Sequence, residues 1–291
     1  MPPHDPSTAT RGLPPLLLAI RELRWSQLLF LARYQAALRS GWIRRRLPPI
    51  AWSESSLDKL VRPGIPTDPA AYVAWRGRSA PPFFFDAGAD LRPALQQVVP
   101  GSGAQAIAAA EAILAGRFSH FGQAPIERGF PPDWGAFAPP ASAPPADLAR
   151  HWTDLHAADL ADDVKLLWEI SRFSWVFPLV RAYRWTGDAR FAEACLDLCA
   201  SWRRANPPNL GPFWISAQEA AIRLLALVLA FHGLWPVLAA QPADAAAMLA
   251  MIAAHAGRIP ATLDYARAQG NNHLLTEAAS LLTAGLLFPE L

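Results

Sequence analysis

Apolar residues recur at helical spacing through most of the chain, and this pattern is clearest after residue 147. Asp188 follows Gly187, the order expected where one helix ends and the next begins. Short turns between the predicted helices favour antiparallel helical hairpins, so we predict an all-α fold. The predicted helices span 162–186, 188–206, 214–234, 243–266 and 274–288.

The pattern is weaker before residue 147 and predicts fewer helices. One helix is predicted over 16–40, and 47–146 should be irregular except for short helices at 90–98 and 104–115. The clearest β-like run is the short stretch 82–85. Aromatic side chains should anchor the irregular section on the folded body: Phe118, Phe121, Phe130, Trp134 and Phe137. We predict three regions: a basic amphipathic helix region (1–46), an irregular section rich in Pro and aromatic residues (47–146) and a helical body (147–291).

Composition excludes some classes of protein. Of the 291 residues, 52% are hydrophobic and 17% are charged, against about 25% charged in a typical soluble domain. The chain can therefore form a large core and is not a disordered protein. The net charge is only +2 and the longest basic run is 44–46, so no nucleic-acid partner is predicted.

The apolar excess raises the question of a membrane. Residues 224–243 are uncharged over the length of a membrane span, but they contain His232, Gly233 and Pro236, which favour the end of a buried helix. Membrane association is not expected, although a basic amphipathic helix over 16–46 could lie on a lipid surface. Residues 1–15 lack the signal-peptide pattern, and the compartment stays open.

The two cysteines predict neither a disulfide nor a metal site. Cys195 and Cys199 share one face of a predicted helix, where their side chains run alongside each other, so both should be small buried side chains. No Cys/His array has zinc-like spacing, and we predict no metal and no cofactor.

Trp168, Arg172 and Trp175 are spaced by four and three residues, which would put two indoles and a guanidinium on one helix face, next to Glu169. Indoles stack on sugar rings and Arg binds a carboxylate or sulfate, so this group suits an acidic sugar. Core tryptophans beside a surface Glu/Arg pair would give the same pattern.

A second group follows at a predicted helix start. Trp214 precedes Ser216, and Ser216 and Glu219 have capping-box spacing. Glu219 and Arg223 form an i,i+4 pair. Local helix physics explains this group alone, but Glu219 could also direct Arg223 into a cleft.

A third group combines amides with an imidazole. Asn271, Asn272 and His273 precede an apolar helix, where the helix dipole favours an anion. Asn272 can donate hydrogen bonds to a carboxylate, and His273 is suited to proton transfer near neutral pH. An ordinary helix cap beside one His is the alternative interpretation.

Taken in order, several segments resemble the N-terminal helical domain of the heparinase II/III-like and alginate-lyase-like polysaccharide lyases. The resemblance covers about residues 115–291 and is specific in the joint order of its motifs. The segments are PPDWGAF (131–137), WEISRF (168–173), TGD (186–188), SWRRANPP (201–208), FWISAQEAAIR (213–223) and NNHLLTEAASLLTAGLLFPE (271–290).

This resemblance implies an incomplete (α/α) toroid followed by a β-sandwich region, and β-elimination of a uronic-acid-containing polysaccharide. Asn272 would neutralise the uronate carboxylate, and His273 would assist at C5 or stabilise the developing charge. The implied partner is an acidic polysaccharide. The cleft residues expected to bind it are Trp168, Glu169, Arg172, Trp214, Glu219, Arg223 and Asn271.

The chain departs from the family in one respect. The family's catalytic tyrosine follows the helix that begins after the NNH motif, and no tyrosine here lies in a matching motif. We therefore expect 1–291 to be the helical part of a larger lyase, with a β-sandwich domain packing on it. Alternatives are a non-catalytic module that binds acidic polysaccharide or associates with exopolysaccharide, and a peripheral membrane protein. An inverting glycosidase is disfavoured because no acidic pair stands out.

Overall fold

The computed structural model describes residues 24–85, 90, 92–119, 121–135, 149–155 and 164–291. This part of the chain is mostly helical, which confirms the predicted all-α class. Four predictions fall outside the described residues: the start of the first helix (16–23), Phe137, the region boundary at 146/147 and the start of the helix predicted at 162.

Helices make up most of the described chain. In the first half they are α1 (Trp25–Arg39), α2 (Trp42–Arg46), α3 (Leu57–Leu60), α4 (Pro69–Ser79), α5 (Arg92–Val98) and α6 (Ser102–Leu114). In the second half they are α7 (Val164–Trp168), α8 (Val176–Thr186), α9 (Ala189–Ala205), α10 (Ala217–Gly233), α11 (Trp235–Ala240), α12 (Pro242–Arg258), α13 (Leu263–Gln269) and α14 (Asn272–Leu287).

Helix α10 is the centre of the fold. It packs against α8, α12 and α14, and most of its residues are buried. Its C-terminal Gly233 permits a close approach to α8, because a Cβ there would lie 2.4 Å from Val180 Cγ1. Residues 224–233 of the uncharged stretch therefore belong to a buried core helix, which ends at Gly233, one residue before the predicted end, and the rest of the stretch forms α11 and the start of α12.

The first half contains more helix than we predicted. Helix α4 was missed, although Asp68 caps it by accepting a hydrogen bond from Ala71 N, and Pro69 occupies the first turn, where proline is favoured. The β-like run 82–85 is not a strand. Two short antiparallel strands instead pair elsewhere, at Arg117–Phe118 and Ile126–Glu127.

The prediction of one continuous helix over 162–186 is wrong in the middle of that range. The described chain forms α7, a 3-10 turn at Glu169–Arg172 and then α8, with Phe173 in the left-handed region at φ 62°. Pro178 lies in the first turn of α8 and lacks the N–H that a continuous helix would need there. Phe173 is fully buried and stacks edge-on against Trp202, so tertiary packing stabilises the break.

The helix predicted over 243–266 is also interrupted, by a 3-10 turn at Pro260–Thr262. Among the described residues, Pro242–Gln269 is long and apolar enough to cross a membrane, but half of its most apolar window is buried. A core helix passes the same test of length and composition. Cys195 and Cys199 are free and buried, as predicted.

Helix α1 is attached differently from the others. None of its residues is fully buried, and Trp25 is 85% exposed. It packs mainly along α13, where Gln27 donates to Ala268 O at 3.0 Å and Arg33 lies 3.1 Å from Asp264. This contact brings the N-terminal helix to the side of the molecule where α14 begins.

Candidate functional site

Arg172 is the centre of a partly buried ion cluster. Its Nε and Nη2 each donate to one carboxylate oxygen of Glu219 at 2.8 Å, and its Nη1 donates to Glu169 at 2.6 Å. The other Glu169 oxygen accepts from Phe121 N at 3.1 Å. The hydrogen bonds that Arg172 donates to the Glu219 carboxylate raise the pKa of Arg172. The predicted residues Glu169, Arg172 and Glu219 do lie together, but the cation is already bound by two carboxylates.

The predicted pairing of Glu219 with Arg223 is wrong. Glu219 is buried and faces Arg172, while Arg223 Nε donates to His255 Nε2 at 2.9 Å and its Nη2 donates to Phe213 O at 2.6 Å. Burial lowers the pKa of Arg223 to about 9. Burial also lowers the pKa of His255, and the nearby Arg223 charge adds to this, so His255 is a neutral acceptor.

Three side chains expected at the cleft lie in the interior instead. Trp175 is 2% exposed, and Trp214 and Arg223 are fully buried, so none of them presents a surface to a polysaccharide. The interruption before α8 removes Trp175 from the face of Trp168. Helical spacing therefore predicted neither the separation of Trp175 from Trp168 nor how deeply Trp214 and Arg223 are buried.

Arg258 fixes the loop in front of these buried residues. It donates to Trp214 O and Ile215 O at 2.9 Å, and its guanidinium lies 3.9 Å from the centre of the Trp152 ring. Burial lowers its pKa to about 10, so it remains charged at neutral pH. Arg258 thereby fixes the loop that leads into α10.

The third predicted group forms the N-terminus of α14. Asn271 is the N-cap, since its side-chain oxygen accepts from His273 N at 3.0 Å. Asn272 is the first helical residue and is exposed. Burial lowers the pKa of His273, and the Glu219 carboxylate opposes this shift, so the imidazole is neutral at pH 7.

A cavity of about 290 Å³ lies against His273. It brings together two of the predicted residues, His273 and Trp168, whose indole N–H donates to Pro212 O at 3.0 Å. Glu219 does not line the cavity, but its carboxylate is close enough to His273 to oppose the lowering of the His273 pKa. The other lining residues are Tyr34, Leu38, Trp152, Thr153, Leu155, Ile215, Ser216, Ala217, Thr262, Tyr265 and Glu277.

Glu277 is a cavity residue that sequence reasoning missed. Its side chain is 2% exposed, and its Oε2 has no hydrogen-bond partner among the described residues. Burial raises its pKa to about 7, while the Arg258 charge opposes this shift. Its position four residues after His273 places both on one helix face, a signal that the sequence does contain.

Tyr34 and Tyr265 were also missed as cavity residues. Their rings lie 5.0 Å apart, although more than 200 positions separate them in the chain. The spacing of residues within a segment could not predict this contact, because α1 and α13 lie far apart in the chain. Among the described residues, no group of three or more His, Cys, Asp or Glu side chains could hold a metal ion.

Comparison with known proteins gives three matches. The family described as Heparinase II/III N-terminus matches residues 147–291. A heparin-sulfate lyase of Bacteroides thetaiotaomicron is 28% identical over 134 residues, which are 42% of this chain and 17% of that protein. The solved structure of a heparan sulfate lyase HepC mutant from Pedobacter heparinus has a TM-score of 0.52 and 21% identity, over 85% of this chain and 36% of that one.

These matches agree with one another in family. The chain spans much less than two thirds of either relative, and the likeness to the solved structure concerns the fold alone. The family match begins at residue 147 and includes α7 to α14, with the whole Asn271–His273 group. The chain therefore belongs to the heparinase II/III-like family, through the N-terminal part of that family.

Proposed function

We propose that this chain is the substrate-binding helical part of a polysaccharide lyase that cleaves a uronic-acid-containing polysaccharide by β-elimination. The observation that carries the proposal is the cavity at the start of α14, which a neutral His273 lines; the preceding residue, Asn272, is exposed and is not among the residues that line the cavity. The names of both relatives, a heparin-sulfate lyase and a heparan sulfate lyase, support an acidic polysaccharide as the ligand.

The reaction needs a group that neutralises the uronate and a group that accepts a proton. The Asn272 amide would donate to the carboxylate, which makes the C5 proton more acidic and stabilises the negative charge that develops. His273 has a free electron pair when it is neutral and would accept the C5 proton. The C5–H electrons form the C4–C5 double bond as the C4–O bond breaks, and the departing oxygen takes a proton from an acid. We assign the first half of this reaction to the present residues.

The ion cluster would support this site without binding the polymer directly. Arg172 is bound by Glu169 and Glu219, so it holds the 3-10 turn against the start of α10. Trp168 faces the cavity from that turn and would contact the sugar. The Asn271 side chain would shape the site as the cap of α14.

The wider organisation is part of the same proposal. The order α8 to α14 suits an incomplete (α/α) toroid, in which helical hairpins surround the cleft. A β-sandwich domain would pack on this helical part, as the family resemblance implies. The low coverage of both relatives supports a larger working unit.

A non-catalytic module that binds acidic polysaccharide is the second candidate. The observation favouring it is that no tyrosine of this chain lies in a segment that matches the motif of the family's catalytic tyrosine, so no residue here is assigned as the acid of the reaction. Such a module would use the same cavity and break no bond.

The test is turnover by the intact protein on alginate, heparin and heparan sulfate, followed by the ultraviolet absorbance of the unsaturated product. Asn272→Ala should lower kcat by about 10²- to 10³-fold, the usual effect of removing one donor to a developing anion. Gln97→Ala is the matched control, because it removes an exposed amide on α5 that does not line the cavity, and it should retain full activity.

Two results would contradict the lyase proposal. Turnover by Asn272→Ala equal to that of the wild type would remove Asn272 from the chemistry. Tight binding of these polymers by the intact wild-type protein, with no unsaturated product, would favour the binding module instead.

A further inference from the structure

The part of the cavity next to His273 is lined by three residues that the proposed reaction does not use. Tyr34 comes from α1, Tyr265 from α13 and Glu277 from α14. Three separate elements therefore contribute to one wall. The family match begins at residue 147, so Tyr34 lies outside the matched region.

The two tyrosines form an aromatic wall. Their ring centres are 5.0 Å apart with a tilt of 40°, and Tyr265 is 37% exposed. The Tyr265 hydroxyl accepts a hydrogen bond from Gln269 Nε2 at 2.8 Å, which fixes the position of that ring. The Tyr34 hydroxyl has no partner among the described residues, so it is free to bond to a ligand. Aromatic rings with a polar edge suit a molecule that has both an apolar face and hydroxyl groups.

Glu277 provides the polar end of the same wall. It is 2% exposed, and its Oε2 has no partner among the described residues. A buried polar atom without a hydrogen bond is destabilising, so a native structure that retains one usually has a reason for it. A hydroxyl group is a suitable partner, because it can donate to a carboxylate and can accept from a carboxylic acid.

The volume restricts what can fill the cavity. At about 290 Å³ it lies just below the range of about 300–1,000 Å³ that is typical of ligand pockets. One sugar ring fits such a space, whereas a longer stretch of polymer must extend out of it. Because His273 lines the same cavity, a ring bound there would lie next to the bond to be broken.

We propose that Tyr34, Tyr265 and Glu277 form a specificity subsite for one pyranose ring, in which the tyrosines contact the apolar face of the ring and Glu277 hydrogen-bonds a ring hydroxyl. The inference rests on the proposed function, because it takes the ligand to be a polysaccharide. These residues bind and orient the sugar and take no part in moving its protons.

The experiment measures binding and turnover separately. Tyr265→Leu and Glu277→Leu should each raise Kd and KM for short alginate or heparan sulfate oligosaccharides by about tenfold and leave kcat within about twofold, as expected for uniform binding. Glu277→Gln can still donate and accept hydrogen bonds and should lose less affinity than Glu277→Leu. Tyr34→Phe should weaken binding through loss of its hydroxyl, whereas the matched control Tyr183→Phe, on α8, should not.

Melting temperatures distinguish binding from folding. Glu277→Leu removes a buried polar group that has no partner, so its melting temperature should equal or exceed that of the wild type even though its affinity falls. A purely structural role for Glu277 would lower the melting temperature and leave Kd unchanged, which would overturn the subsite.

Failure of the subsite and failure of the lyase proposal give different results. Unsaturated product with wild-type KM in Tyr265→Leu and Glu277→Leu would overturn the subsite alone. Oligosaccharide binding that is weakened by both substitutions, without unsaturated product from the wild type, would support the subsite and overturn the lyase. If the wild type binds no oligosaccharide of either polymer, the subsite is wrong.

Discussion

At the residue scale, two equally buried glutamates near the cavity have opposite environments. Glu219 and Glu277 are each 2% exposed. Both oxygens of Glu219 accept hydrogen bonds from Arg172, whereas Oε2 of Glu277 accepts none among the described residues. Glu219 therefore links α10 to the 3-10 turn that contains Arg172. Glu277 keeps one oxygen that no hydrogen bond of the described fold uses.

Glu277 should make the stability of the protein depend on pH. Its pKa is raised from 4.5 to about 7 by burial, so the folded state binds this proton more tightly than the unfolded state does. The stabilisation is complete below pH 4.5 and is lost as the pH rises to about 7, by about 3 kcal/mol in total. Urea unfolding of the wild type and Glu277→Gln at pH 5 and pH 8 measures this loss.

Comparing the wild type with Glu277→Gln separates the contribution of Glu277 to the pH dependence of stability from that of the other titratable groups. His273 has the opposite effect, because its lowered pKa destabilises the folded state as the pH falls, but it is present in both proteins. The wild type should therefore lose more stability than the variant between pH 5 and pH 8. Equal losses in the two proteins would show that Glu277 is ionised in the folded state at both pH values.

Sequence reasoning named some residues that the structure places at the cavity, while their roles in binding or catalysis stay predictions. His273 and Trp168 line the cavity, and Asn271 caps its helix. Trp214 and Arg223 were predicted to contact the ligand but are buried, because the same amphipathic pattern describes a cleft wall and the layer behind it. Tyr34 could not be found, since its role depends on a tertiary contact between distant helices.

At the element scale, most helix ends follow from local signals and most errors follow from proline. Asp188 and Ser216 cap their helices as predicted. Pro178 and Pro260 lie in the first turn of a helix and of a 3-10 turn, and both were wrongly included inside continuous helices. Both prolines are stop signals, but the apolar periodicity continues across them and favours one continuous helix.

The contact between α6 and α8 depends on a glycine. A Cβ at Gly103 would lie 2.1 Å from Trp185 Cε2, so the Trp185 ring must move to make room for a methyl group. Gly103→Ala should destabilise the protein by about 1–3 kcal/mol, the usual cost of overpacking. Gly257→Ala is the control, because a Cβ there meets nothing within 4 Å.

Urea unfolding of both glycine variants tests this contact. At Gly257 in α12 the alanine should stabilise the helix slightly, by up to about 1 kcal/mol, because glycine is the poorer helix former. If Gly103→Ala is as stable as Gly257→Ala, α6 and α8 are not in close contact in solution.

At the scale of the whole molecule, a buried ion pair links α4 to the segment after α14. Arg76 Nη1 donates to Glu290 Oε1 at 2.5 Å and to Oε2 at 2.7 Å. Tyr72 donates to the same carboxylate at 2.9 Å, and Arg76 Nη2 donates to Leu287 O. More than 200 positions separate the two charges, so the pair closes the fold between its first and second halves.

Glu290→Gln should be among the more damaging substitutions in this protein. It leaves the Arg76 cation buried without a counter-charge, which costs about 3–5 kcal/mol. Glu193→Gln, an exposed glutamate on α9, should change the free energy of unfolding by no more than about 0.5 kcal/mol. Equal unfolding midpoints in urea for Glu290→Gln and Glu193→Gln would contradict the view that the buried Arg76 cation needs the Glu290 charge.

Helix α1 buries none of its own residues, yet it supplies Tyr34 to the cavity, so its local unfolding and ligand binding are coupled. A helix with no fully buried residue detaches locally at a lower free energy than the whole protein unfolds. A sugar that needs Tyr34 can bind tightly only while α1 is docked, so occupancy of the cavity and amide protection along Trp25–Arg39 are linked quantities. Hydrogen exchange in this one helix would therefore report ligand binding to a site whose other residues lie far along the chain.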